Sequence, residues 1–200
     1  PSALLATEDG GLTWRLVLDS PDDDPKAAPF FLDAERFWFF TYKREIYRTI
    51  DGGRTFDVYK PRFADPEGRG GEDVCTLRLF FRTEDEAWAP CRDSVQKSTD
   101  GGRTWRIVRV LQGASLDYVW MFDAREGIAV SSGGEGGILR TADGGITWTA
   151  KVKGKYGLLR CTRDGFCVMW DFIPGWILAS NDRGRTWQDL HIPLQGDGED

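Results

Sequence analysis

"KSTDGGRTWRIV", residues 97–108, sets an aspartate, two glycines, an arginine and a tryptophan within a few positions. Taken alone, it reads equally well as a catalytic loop, a phosphate cradle or a turn. Its recurrence decides between them. "ATEDGGLTWRLV" (6–17), "RTIDGGRTFDVY" (48–59), "RTADGGITWTAK" (140–151) and "ASNDRGRTWQDL" (179–190) repeat the pattern Ser/Thr-x-Asp-Gly/Arg-Gly-x-Thr-Trp/Phe. The aspartates Asp9, Asp51, Asp100, Asp143 and Asp182 follow one another at 42, 49, 43 and 39 residues. A period of about 40–50 residues is that of a four-stranded blade of a β-propeller.

Turn chemistry accounts for every residue of the box. The aspartate carboxylate accepts from nearby backbone amides. Glycine supplies the positive φ that a tight loop needs, and the Ser/Thr hydroxyls satisfy backbone groups at the loop mouth. The closing aromatics Trp14, Phe56, Trp105, Trp148 and Trp187 begin the next strand and bury a large area. The ten residues are therefore read as structural, and no activity shared by five copies is required.

A second repeat stands between the boxes. "FFLDAERFWFF" (30–40), "LFFRTEDEAWA" (79–89), "WMFDAREGIAV" (120–130) and "LLRCTRDGFCV" (158–168) each read as strand, short polar turn, strand. A third strand leads into each box and a fourth leaves it. The nearly continuous apolar first strands are expected to be buried on both faces, and the fourth strands to lie outermost. The expectation is an all-β propeller in one domain, 1–200, with full blades at about 28–60, 74–110, 116–152 and 156–193. Residues 1–20 supply only the third and fourth strands of a half blade. Its inner strands are expected from flanking sequence, or else the ring stays open with an exposed edge.

The totals agree with this class. Gly 24, Trp 9 and 13% aromatic suit a turn-rich β chain. The net charge of −6 argues against a nucleic-acid partner, and no run of 18 apolar residues suggests a transmembrane segment. The chain starts at Pro1 without an apolar leader core. A removed leader would favour an extracytoplasmic compartment, although trimming would look the same. Cys75, Cys91, Cys161 and Cys167 form no C-x-x-C pair and the sole histidine is His191, so neither a metal nor a cofactor is expected. In "CTRDGFC" the reading makes Cys161 and Cys167 diagonal neighbours, too far apart to bridge, and expects thiols.

The boxes resemble the Asp-box, or BNR, repeat of sialidases, xyloglucan-degrading hydrolases, sortilin-type receptors and photosystem II assembly-factor propellers. The unit "VWMFDAREGIAVSSGGEGGILRTADGGITWT" (119–148) is most similar to the last group. The resemblance implies that the box is a turn on the outer rim, remote from the binding face. It does not carry over a sialidase site: the Arg-Ile-Pro motif is missing, and the nearest string is "KPRFADP" (60–66).

The opposite face is expected to be built from the loops between second and third strands and from the connections between blades. It holds Tyr42, Lys43, Arg44, Arg62, Arg92, Trp170, Asp171 and Trp176 as candidates. Lys43, Arg44, Arg62 and Arg69 could make a basic patch for an anionic peptide or lipid, although ordinary surface charge is the favoured reading. Asp171 between Trp170 and Trp176 could serve a sugar, while "PDDDP" (21–25) reads as a solvated acidic loop and "SSGGEGG" (131–137) lacks the marks of a phosphate loop. The expected function is non-enzymatic: a scaffold or assembly module with a protein or peptide partner. The alternative is a carbohydrate-binding or glycosidase-like propeller.

Overall fold

The computed structural model describes residues 2–20, 29–41, 43–65, 75, 78–134, 136–154, 157–170 and 176–190. Among these there are only strands and turns. β1 (Ser2–Ala6) and β2 (Arg15–Ser20) form a two-stranded antiparallel sheet. Four sheets of four strands follow, each with its strands neighbouring in chain order. The first full blade is β3 (Phe30–Phe31), β4 (Phe37–Phe40), β5 (Ile46–Thr49) and β6 (Asp57–Tyr59). The second is β7 (Phe80–Phe81), β8 (Ala87–Pro90), β9 (Ser94–Ser98) and β10 (Arg106–Val110). The third comprises β11 (Leu116–Met121), β12 (Gly127–Ser131), β13 (Gly137–Thr141) and β14 (Thr149–Lys153). The fourth comprises β15 (Leu158–Cys161), β16 (Cys167–Trp170), β17 (Ile177–Ser180) and β18 (Gln188–Asp189). These antiparallel meanders are the blades of a β-propeller fold.

The chain divides into two compact units, residues 1–89 with 96–107, and residues 90–95 with 108–200. The core of the first is aromatic. Trp38, 2% exposed, stacks on Phe81 at 4.2 Å between ring centroids, and Phe30 meets Phe80 edge-on at 5.4 Å. Such pairs add to the area they remove from water. In the second unit Ile128, Val130, Ile138, Leu159, Met169 and Leu178 form an aliphatic cluster, with Trp176 and Trp187 packed against it.

Burial across a blade differs from the sequence reading in one respect. Three of the second strands, β4, β8 and β12, are buried at every residue, and so is the first strand β7, whereas β16 alternates. The first strand β3 is two residues long and leaves Phe31 half exposed. The expectation of a first strand buried on both faces thus holds for β7 and not for β3.

The inner hairpin keeps one register in every full blade. Phe31 faces Phe37, Phe81 faces Ala87, Met121 faces Gly127 and Cys161 faces Cys167. The rings of Phe31 and Phe37 lie 5.0 Å apart, and a Cβ on Gly127 would collide with the Met121 sulfur. In the fourth blade this position holds a disulfide, Cys161–Cys167, with a Cα–Cα distance of 4.1 Å. That corrects the expectation of thiols. The two cysteines are directly opposed, not diagonal, because all four inner turns close across residues six positions apart. Cys75 and Cys91 are disulfide-bonded as well.

Candidate functional site

The box is a hydrogen-bonded unit built the same way five times. In the third copy the Ser98 hydroxyl donates to the Asp100 carboxylate at 2.7 Å and accepts from the Gly102 amide at 2.9 Å. Asp100 then accepts the amide of Thr104 at 2.9 Å and its hydroxyl at 2.5 Å. The remaining copies repeat these bonds through Asp9 and Thr13, Asp51 and Thr55, Asp143 and Thr147, and Asp182 and Thr186. Trp14, Trp105 and Trp148 also donate their indole N–H to the carbonyl of the box glycine three residues back, at 2.8–3.0 Å.

This saturation fixes the charge of the aspartates. The Thr13 and Thr147 hydroxyls and amides hold the Asp9 and Asp143 carboxyls down at about 2. At Asp182 burial pushes the value up, and bonds from Thr186 and Ser180 outweigh it to leave about 2. Asp51 is held low chiefly by the Thr55 amide, and Asp100 falls because Thr104 and Ser98 overcome its desolvation. A carboxylate with several donors aimed at it is a poor base and a worse acid.

The box turn is tied to the inner turn of its own blade. Gly52, Gly101, Gly144 and Arg183 donate their amides to the carbonyls of Glu35, Asp85, Arg125 and Gly165 at 2.8–3.1 Å. Antiparallel order therefore puts the second-to-third-strand turn at the other end of each blade. Arg183 adopts φ 61° where the other boxes carry glycine. Its guanidinium reaches Asp123 at 3.0 Å and Glu126 at 3.1 Å.

Glu126 is the most heavily paired acid among the described residues. It accepts from Arg140 and Arg185 at 2.6 Å each as well as from Arg183. Desolvation works against its ionisation, and the three guanidiniums overcome it, so its titration lies below the ordinary glutamate range. Glu86, one blade earlier at the same position, pairs with Arg82 and Lys97 and is lowered in the same way. The sequence reading left these acids unassigned. Their signal was the inner-turn register, since both directly precede the second strand.

The candidates of the opposite face divide. Lys43 and Arg44 occupy the turn between β4 and β5, with Lys43 exposed and Arg44 half-buried at φ 63°. Arg92 is exposed on the corresponding turn between β8 and β9, which the Cys91 amide closes onto the Ser94 carbonyl at 2.9 Å. Arg62 stands elsewhere. It bridges Thr104 of the third box, donating its amide to the Arg103 carbonyl and accepting from the Trp105 amide. The connection carrying it is pinned by fully buried Gln96, whose amide group bonds both polar atoms of the Ala64 backbone, at 2.8 and 2.9 Å. Trp170 ends β16 and Trp176 precedes β17, both half-buried. Tyr42, Arg69, Asp171 and the "PDDDP" loop lie outside the described residues.

The pocket described in the second unit is on the fourth blade. It measures about 210 Å³ and is lined by Phe166, Ala179, Ser180, Asn181, Thr186, Gln188 and Leu190. No group of three His, Cys, Asp or Glu converges among the described residues. No helix there is long and apolar enough to cross a membrane.

No family model matches the chain. Over 150 residues it is 34% identical to an oligoxyloglucan reducing-end-specific xyloglucanase of Emericella nidulans, covering 69% of this chain and 17% of that protein. Its fold is similar to that of YCF48 bound to a D1 peptide, at 19% identity and a TM-score of 0.58, over 86% of this chain and 57% of the other. It is also similar to the GH74 enzyme of Niastella koreensis, at 14% identity and a TM-score of 0.51, over 78% and 28%. The chain thus spans less than two thirds of each of these proteins. At such identities the two structures establish a shared β-propeller fold.

Proposed function

We propose that this chain is a non-enzymatic, peptide-binding propeller module that serves in protein assembly. The observation that carries the reading concerns its acids. Ten described carboxyls are displaced in their titration, and every one is displaced downward by hydrogen bonds or ion pairs. These ten are therefore unsuited to the part of a glycosidase acid, a carboxyl kept protonated near neutrality, and Asp171 is not among them. The similarity to YCF48, seen with a D1 peptide, supports an extended peptide as the ligand. The exposed cation Lys43, at the end of its blade away from the box, supports an acidic one.

The test is binding of a panel of acidic and neutral peptides by fluorescence anisotropy. An acidic peptide should bind saturably and lose about tenfold in affinity on Lys43→Glu, a loss of about 1.4 kcal/mol. The carbohydrate reading is favoured by the 34% identity to the xyloglucanase and by Trp170 and Trp176 at the two ends of one loop. Release of reducing sugar from xyloglucan oligosaccharides, abolished by Asp171→Asn, would overturn the peptide reading.

A further inference from the structure

The box aromatic is covered differently from blade to blade. In the first full blade Phe39 and Tyr47 close over Phe56, at 5.6 and 6.1 Å between ring centroids. In the fourth, Trp187 packs against the buried cluster that contains Leu178. In the second, the cover is a piece of chain from outside the sheet. Arg62 pairs in parallel with Thr104, donating its amide to the Arg103 carbonyl at 2.8 Å and accepting from the Trp105 amide at 3.0 Å. Phe63 then lies on Trp105, with 5.2 Å between centroids and 31° between planes, and Gln96 holds both polar atoms of the Ala64 backbone. Residues 62–64 thus dock as a short added strand, with backbone bonds to set the register and one ring to bury area.

The third blade has the same box without such a cover. Its clamp repeats that of the second blade, from Thr147 on Asp143 to the Trp148 indole on the Gly145 carbonyl. The Ile146 carbonyl and the Trp148 amide therefore stand where those of Arg103 and Trp105 do, and neither has a backbone partner among the described residues. No ring stacks on Trp148 there. Ile146 is 56% exposed, and Trp148 is half-buried where Trp105 is buried. The residue nine positions before the box aromatic, fully buried Gln96 in the second blade, is half-buried Leu139 in the third.

The connection entering this blade is committed elsewhere. Within residues 111–115 the Leu111 amide bonds the Asp93 carbonyl at 2.7 Å, and the Ser115 carbonyl accepts from the Ser132 amide at 2.9 Å. The docking position that the chain fills for itself on the second blade is left to another chain on the third.

We propose that this edge of the third blade takes an extended peptide segment of a partner protein, laid parallel to residues 146–148, with an aromatic residue on Trp148 and an apolar one beside Leu139. The mode is that of residues 62–64 on the second blade, carried over to a box where an apolar side chain replaces the polar grip of Gln96. It does not rest on the acidic-peptide reading, because its determinants are backbone pairing and a ring, not Lys43.

The probe is a synthetic peptide copied from residues 60–65, KPRFAD, capped at both ends and titrated into the 15N-labelled chain. Its net charge is positive, so the Lys43 turn is not expected to hold it and failure of either reading is seen separately. The indole and backbone N–H resonances of Trp148 should shift saturably. Exchanging the peptide's phenylalanine for alanine, or methylating the amide nitrogen of its arginine, should each weaken binding about tenfold. The first removes the ring and the second the donor to the Ile146 carbonyl. Trp148→Ala should weaken the unmodified peptide to the same extent. Should that variant melt early, the two modified peptides decide, since they leave the protein untouched. No saturable shift at Trp148, shifts centred on Trp105 in its place, or a methylated peptide that binds as well as its parent overturns the proposal.

Discussion

The half blade β1–β2 and the second full blade carry nearly the same box, yet the box does different work in each. In both, a Ser/Thr and a Thr hydroxyl clamp the aspartate, and the tryptophan donates its indole N–H to a glycine carbonyl. Trp105 is nevertheless 5% exposed and Trp14 59% exposed. The residue three before the first hydroxyl is fully buried Val95 in one and half-exposed Leu4 in the other. Hydrogen bonding within the turn is thus local and survives without a complete sheet. Burial is not local, and it depends on the inner strands and the neighbouring sheet. The box specifies a shape, and its surroundings decide how much stability that shape contributes.

Truncating the aromatic breaks the comparison most sharply. Trp105→Ala should lower stability by about 3–5 kcal/mol, the range for emptying a buried indole site. Trp14→Ala should cost under about 1 kcal/mol, as an exposed substitution does. Urea titration of both variants gives the two values, and equal losses would mean that the half blade is as well covered as the full one.

Removing the clamp itself is the next largest effect. Asp100→Ala deprives the amides of Arg103 and Thr104 and two hydroxyls of their acceptor. It should cost about 1–2 kcal/mol. Any peptide affinity should stay within twofold, because each box lies at the end of its blade opposite the turn between the second and third strands. The melting temperature and the anisotropy titration are read on the same variant.

The smallest effect is a slope with pH. Asp9, Asp143 and Asp182 titrate at about 2 in the folded chain against an ordinary value of 3.8. Between those values the unfolded chain binds more protons, so stability falls as pH falls. The contribution is complete above about pH 4 and disappears towards about pH 2. Asp143→Asn should make the melting temperature fall less steeply across that window. An unchanged slope would mean that this carboxylate is not held ionised by its turn.

Much of the fold was legible because the box acts as a ruler. Five aspartates fix the third and fourth strands, and the runs between them supply the others. What escaped was pairing across strands. Cys161 and Cys167 looked diagonal when their hairpin was read alone, whereas aligning it with Phe31 and Phe37 places them face to face. Arg62 looked like part of a basic patch because charge is visible in sequence, but the bridge that carries it to Thr104 joins residues far apart in the chain. The acids Glu86 and Glu126 were passed over for a related reason. Their partners sit on other strands and, for Arg183 and Arg185, on the next blade.

The amide that each box turn donates to the inner turn of its blade has an evolutionary corollary. With Gly52, Gly101, Gly144 and Arg183 all bound to a carbonyl of the inner turn, neither turn can lengthen without breaking the other. Insertions are therefore confined to the far end of the blade. Phe40 and Ile46 enclose five residues there, whereas Pro90 and Ser94 enclose three. One end of each blade is a fixed template and the other is free to diversify. A library of inserted loops should be built between Pro90 and Ser94, leaving the register of every strand unchanged.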